Sequence, residues 1–98
     1  MRFELAYTPE ARAQIEALEG APAKAKILKA VRRTLGLMET NLRHPGLNAH
    51  KYASLRGANG EEVFEAYAQN RTSGAFRVFW HYGPEKGRIT IVAVTPHP

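Results

Sequence analysis

Hydrophobic residues follow two rhythms along this chain, and where the rhythm changes the elements change. Over residues 2 to 7 they alternate, with Phe3, Leu5 and Tyr7 on one side and Arg2, Glu4 and Ala6 on the other, the period of a half-buried strand. Thr8 then supplies a capping hydroxyl, Pro9 takes the first helical position, and Glu10 places negative charge in the first turn. Ala11, Ile15 and Leu18 recur at helical spacing, and Gly20 ends this first helix. A second helix is predicted from Pro22 to about Leu42. Its apolar stripe is Ile27, Leu28, Val31, Leu35, Met38 and Leu42, with Lys24, Lys26, Lys29, Arg32 and Arg33 mostly on the opposite face. Pro45 stops it, because it lacks a donor and disfavours the helical region for His44.

Beyond that point the period drops to two. Tyr52 to Leu55, Val63 to Gln69, Ala75 to Tyr82 and Arg88 to Val94 read as strands, separated by turn clusters at 56–60, 70–74 and 83–87. The order βααββββ, with both helices before a run of hairpins, predicts an α+β fold with two N-terminal helices packed on one face of a largely antiparallel sheet. At 98 residues the chain has room for one domain, 1–98, and no second core.

Composition narrows the partner. Fourteen Lys and Arg oppose nine Glu, with no Asp, for a formal charge of +5, which favours an acidic partner: nucleic acid first, then an acidic protein or an anionic surface. With no cysteine, neither a disulfide framework nor a thiolate metal site is expected. His44, His50, His81 and His97 show no ligand spacing, so no metal and no other cofactor is expected. The first residues suit neither a signal peptide nor a membrane span, and the chain is expected in the cytoplasm.

Three groups of residues offer chemistry. In the strand from Ala75, one face carries Arg77, Phe79 and His81, and the other carries Phe76, Val78, Trp80 and Tyr82. The second face is the expected core, which leaves Arg77 and His81 toward solvent or a groove. If Gln69 pairs with Ala75, Tyr67 lies opposite Arg77 with Glu65 on the diagonal, so Glu65, Tyr67, Arg77 and His81 form a candidate cluster. The plainer reading of that cluster is a surface ion pair. The stretch from His50 and Lys51 through Tyr52 to Arg56 interleaves cations with an aromatic ring, which suits RNA and equally suits a protected strand edge. His97, between Pro96 and Pro98, is either a frayed tail or an imidazole held near the last strand.

The opening strand followed by Thr8-Pro9-Glu10-Ala11, the Leu55-Arg56-Gly57 turn, Val63-Phe64-Glu65-Ala66, Phe76-Arg77-Val78-Phe79-Trp80 and the ending Thr95-Pro96-His97-Pro98 together resemble the RelE/ParE superfamily of toxin–antitoxin toxins. The resemblance spans nearly the whole chain. It implies a toxin bound by a small acidic antitoxin. In the ribonuclease branch it implies ribosome-dependent cleavage of mRNA by 2′-hydroxyl attack without metal. Arg77 would then stabilise the phosphate, His97 would serve as acid, and Arg56 and Lys51 would be RNA-binding, with His50 and His81 beside them. The family's glutamate base has no counterpart at Tyr52, Ala53 and Ser54, and Ala66 and Tyr67 stand where further cations are usual. Glu65 is a displaced candidate base, with Lys51 or His50 as substitutes. The gyrase-poisoning branch shares the fold without this catalytic set, so a non-enzymatic binding toxin or an inactive orphan remains the alternative.

Overall fold

A computed structural model describes residues 2–97. Strand β1 (Glu4–Tyr7) leads into helix α1 (Pro9–Glu19). After a 3-10 turn at Pro22–Lys24 come helix α2 (Ala25–Thr40), a second such turn at Pro45–Leu47, and four strands: β2 (His50–Arg56), β3 (Glu62–Tyr67), β4 (Phe76–Tyr82) and β5 (Arg88–Pro96). The sheet order is β1-β5-β4-β3-β2, with β1 parallel to β5 and every other pair antiparallel. This is the expected α+β arrangement. Among the described residues, no helix is long and apolar enough to cross a membrane.

Local chemistry sets the boundaries. Thr8 caps α1 by accepting the Ala11 N–H at 3.1 Å, as its position before Pro9 predicts. The second helix is shorter than the predicted span from Pro22 to Leu42. Pro22 opens a 3-10 turn instead, and Asn41 leaves helical geometry at φ −154° while its N–H still bonds the Leu37 carbonyl. Strands β2 and β5 run longer than predicted, β5 because its last residues pair with the start of β4, Phe76 opposite Pro96.

The main core lies between the helices and one face of the sheet. Val31, Leu35 and Met38 of α2 and Ala11 and Leu18 of α1 meet Ala66, Val78, Trp80, Ile89, Ile91 and Val94. Of the two settings expected for Arg77 and His81 on the opposite face, solvent or a groove, open solvent is excluded: they are only 8% and 5% exposed. The physical reason is the path of β2. Its pairing with β3 slips between Lys51 and Arg56, and the freed segment brings Tyr52 onto Phe79, ring centroids 4.9 Å apart. Val63, Phe79 and Ala93 thereby gain a small apolar cluster of their own with Tyr52 and Val92.

Strand β5 also slips. Phe79 pairs with Ala93 but Trp80 with Ile91, so Val92 is an extra residue, a β-bulge. The bulge reverses the facing of all that follows: Ile89 and Ile91 point to the helices before it, and Val94 does so after it. Helix α1 holds this kink through side chains. Thr8 donates to the Val92 carbonyl at 3.1 Å, and Gln14 Oε1 accepts the Val94 N–H at 2.6 Å, so backbone groups displaced from the ladder are still satisfied.

Ile91→Ala is expected to lower unfolding free energy by about 2–5 kcal/mol through the cavity it leaves. Val92→Ala, at the half-buried bulge, is expected to cost less than about 1.5 kcal/mol; urea unfolding of both variants checks the contrast.

Candidate active site

The centre of the second face is a buried carboxylate. Glu65 is 1% exposed, on β3, with Phe79 directly opposite and Tyr67 opposite Arg77, the register that pairing Gln69 with Ala75 implies. An isolated ionised carboxylate at such depth would be very costly, so partners must surround it. Its Oε1 lies 2.7 Å from His50 Nε2, its Oε2 lies 2.7 Å from His97 Nδ1, and Arg77 Nε is 3.6 Å from Oε2. Both imidazoles are about half exposed, at 47% of their side-chain surface, while the carboxylate is sealed beneath them.

Hydrogen-bond inventory assigns the rings. Asn48, in the left-handed conformation at φ 48°, turns its carbonyl to His50 Nδ1 at 2.7 Å, and a carbonyl only accepts. His50 therefore donates from Nδ1, and its Nε2 can donate to an ionised Glu65 only in the doubly protonated ring; both its nitrogens are occupied. His97 has one nitrogen on Glu65, so an ionised Glu65 takes the Nδ1 proton and leaves Nε2 as the ring atom available to a substrate. The backbone holds this ring in place: the His97 N–H donates to the Ala75 carbonyl at 2.8 Å, so the ending is tied to β4. Pro98 lies outside the described residues.

Arg77 is fixed from three sides. Its Nη1 donates to the Gln69 carbonyl at 2.6 Å, its guanidinium lies 3.7 Å from the Tyr67 ring centroid, and Glu65 supplies the counter-charge. Its Nε, buried, has no hydrogen-bond partner among the described residues. The Tyr67 ring also meets the edge of His50 at 5.9 Å, and Thr34 of α2 donates to the Tyr67 carbonyl at 3.3 Å, tying this end of β3 to the helix layer. The result is a preset cluster that sets a guanidinium beside one available imidazole nitrogen, a pair suited to binding an anion and exchanging a proton with it.

The fold thus brings Glu65, Arg77, His97 and His50 together, with Tyr67 as the platform. It does not bring in the others. Lys51 pairs with Glu62 at 3.4 Å on the exposed side of β2. Arg56 lines a neighbouring groove. His81 sits four residues along β4 from Arg77, roughly 13 Å at about 3.3 Å per residue, with Nδ1 2.9 Å from the Tyr82 carbonyl. It packs against the Gly57 turn so closely that a Cβ at Gly57 would lie 2.9 Å from its ring. Beside it, the backbone N–H groups of Glu61 and Asn59 hold the Glu61 carboxyl below the usual range, with a smaller contribution from His81. Among the described residues, no group of three or more His, Asp or Glu is arranged to hold a metal ion.

The link between His50 and Glu65 was hidden by the slip in β2. Extending the Arg56–Glu62 pairing regularly places His50 opposite Ala68, three residues away and on the other parity. The His97 contact was hidden by the bulge, since unbroken alternation from Ile89 puts residue 97 on the helix side. The hairpin register set by pairing Gln69 with Ala75 was the signal that placed Glu65 and Tyr67 beside Arg77.

The arrangement of two helices on one face of a mixed five-stranded sheet is similar in fold to solved structures whose names are those of RelE, YoeB and ParE toxins. The YoeB dimer structure from Staphylococcus aureus superposes with a TM-score of 0.64 at 14% identity, covering 100% of both chains. A YoeB/ParE toxin from Agrobacterium tumefaciens gives 0.65 at 11%, over 98% of this chain and 100% of that one. The archaeal RelE–RelB complex from Pyrococcus horikoshii OT3 gives 0.63 at 16%, over 98% and 96%. At these identities the likeness is one of fold. No protein-family model and no curated protein matches the chain.

Replacing Glu65 with Leu leaves Arg77 buried without its counter-charge and is expected to lower stability by about 3–5 kcal/mol. Lys51→Ala, breaking an exposed pair, is expected to change it by less than about 1 kcal/mol. Chemical denaturation of the two variants against the parent chain reads both.

Proposed function

We propose that this chain is the toxin of a toxin–antitoxin pair, a cytoplasmic, metal-independent endoribonuclease that cleaves mRNA at the ribosome. The observation that carries the reading is the pairing of a carboxylate-oriented imidazole, His97, with a guanidinium, Arg77, around the buried carboxylate of Glu65. Phosphodiester cleavage by 2′-hydroxyl attack requires these two functions. The 2′-oxygen bonds to phosphorus as the bond to the 5′-oxygen breaks, and the phosphorane between them carries extra negative charge. Arg77 stabilises that charge, and His97 gives the Nε2 proton of its imidazolium to the departing 5′-oxygen. Both oxygens of Glu65 are occupied and its side chain is 2% exposed, so we assign it to orienting His97, with the 2′-hydroxyl proton passing to solvent and a solvent proton later recharging His97. The products are a 2′,3′-cyclic phosphate and a 5′-hydroxyl.

An acidic antitoxin fits the remaining charge. Lys24, Lys26, Lys29 and Arg33 are exposed along one side of α2 and the turn before it, and the related fold from Pyrococcus was solved as RelE with RelB.

Induction in bacteria is expected to arrest growth, with ribosome-dependent cuts in mRNA that end in cyclic phosphate. His97→Ala is expected to slow cleavage by about 10²–10⁴-fold, the usual worth of a positioned acid, and Arg77→Ala comparably, with chemical denaturation of each variant separating lost chemistry from the stability that removing a partner of Glu65 costs. Arrest that survives both substitutions without mRNA cleavage would instead establish the non-enzymatic binding reading.

A further inference from the structure

Beside the cluster runs a groove of about 430 Å³, bounded by the first turns of α1, by β2 and by the second half of β5. It begins within one side chain of the site: Phe79 in its floor is opposite Glu65, Thr95 is opposite Arg77, and Pro96 precedes His97. Tyr52 and Ala93 line its apolar part; Glu10, Gln14 and Arg56 line its polar part. Glu10 and Arg56 are exposed and have no ion-pair or hydrogen-bond partner among the described residues. Gln14 accepts the Val94 N–H through Oε1, which leaves its amide NH₂ as a donor.

These groups specify a ligand. A carboxylate in the groove disfavours a second phosphate and calls for N–H donors, while the guanidinium and the amide call for acceptors. Among the four RNA bases, guanine alone presents two adjacent N–H donors, at N1 and N2, beside the O6 acceptor, and O6 with N7 suits a guanidinium. Adenine and cytosine set one donor next to a lone pair, and uracil flanks its donor with two acceptors. An aromatic side chain beside an apolar floor suits a flat base. We propose that this groove is a guanine-binding subsite, with Glu10 accepting from N1 and N2, Arg56 donating to O6 or N7, and the nucleotide's phosphate directed to Arg77 and His97.

The inference rests on the ribonuclease reading for its purpose, but its test needs no turnover. Guanosine, adenosine, cytidine and uridine 3′-monophosphates share the phosphate and differ in the base. Titrating each into the ¹⁵N-labelled chain is expected to show the guanine nucleotide binding about tenfold or more tightly, the scale of one bidentate contact, with shifts at Glu10, Tyr52 and Ala93. Glu10→Gln and Arg56→Ala, both at exposed positions, are each expected to bring the guanine nucleotide to within about twofold of the others. Equal affinity for the four, no detectable binding, shifts confined to the cluster, or a preference that survives Glu10→Gln would overturn the subsite. Guanine binding without ribosomal cleavage would remove the ribonuclease reading alone; cleavage without base preference would remove only the subsite.

Discussion

A carboxylate placed where water cannot reach it dictates the layout of the sheet's second face. Glu65 sits in the middle strand of the β4-β3-β2 half, where neighbours on both sides can approach, and its burial is tolerable only because each oxygen meets a donor and a guanidinium lies alongside. Those partners come from separate places: His50 from the edge strand, Arg77 from the adjacent strand, and His97 from beyond the last one. The same carboxylate that knits these segments together aligns the ring of His97. One group therefore holds the fold together and orients that imidazole, and changing Glu65 disturbs both.

Two slips in strand pairing deliver the partners. The irregularity in β2 moves His50 to Glu65 and folds Tyr52 over Phe79. The bulge at Val92 turns Thr95 toward the row of Arg77 and lets His97 reach the site face. Helix α1, with no residue in the cluster, supports it at one remove: Thr8 and Gln14 bond the displaced backbone of β5. Remote supports of this kind fix a site's geometry more firmly than contacts within the site alone.

Much of this was readable from residues. The Thr8-Pro9 start of α1, the stripe Val31, Leu35 and Met38, and the pairing of Tyr67 with Arg77 follow from capping, helical period and hairpin register. The burial of Arg77 and His81 was not readable, because it depends on a strand leaving its regular path, and nothing in Tyr52-Ala53-Ser54-Leu55 announces such a departure. Bulges are set by what packs on them, here Thr8 and Gln14 some 80 positions away, so a local pattern cannot reveal them. Nor does any local pattern announce that one carboxylate is shared by two imidazoles.

The central claim is that Glu65 sets the tautomer of His97 and leaves Nε2 to the substrate. Long-range ¹H–¹⁵N correlation spectra of the imidazole rings read this directly. When His97 is neutral, the account predicts a proton on Nδ1 and an unprotonated Nε2, with that preference lost in Glu65→Gln. A mixed or Nε2-protonated ring in the parent chain, unchanged by the substitution, would contradict it.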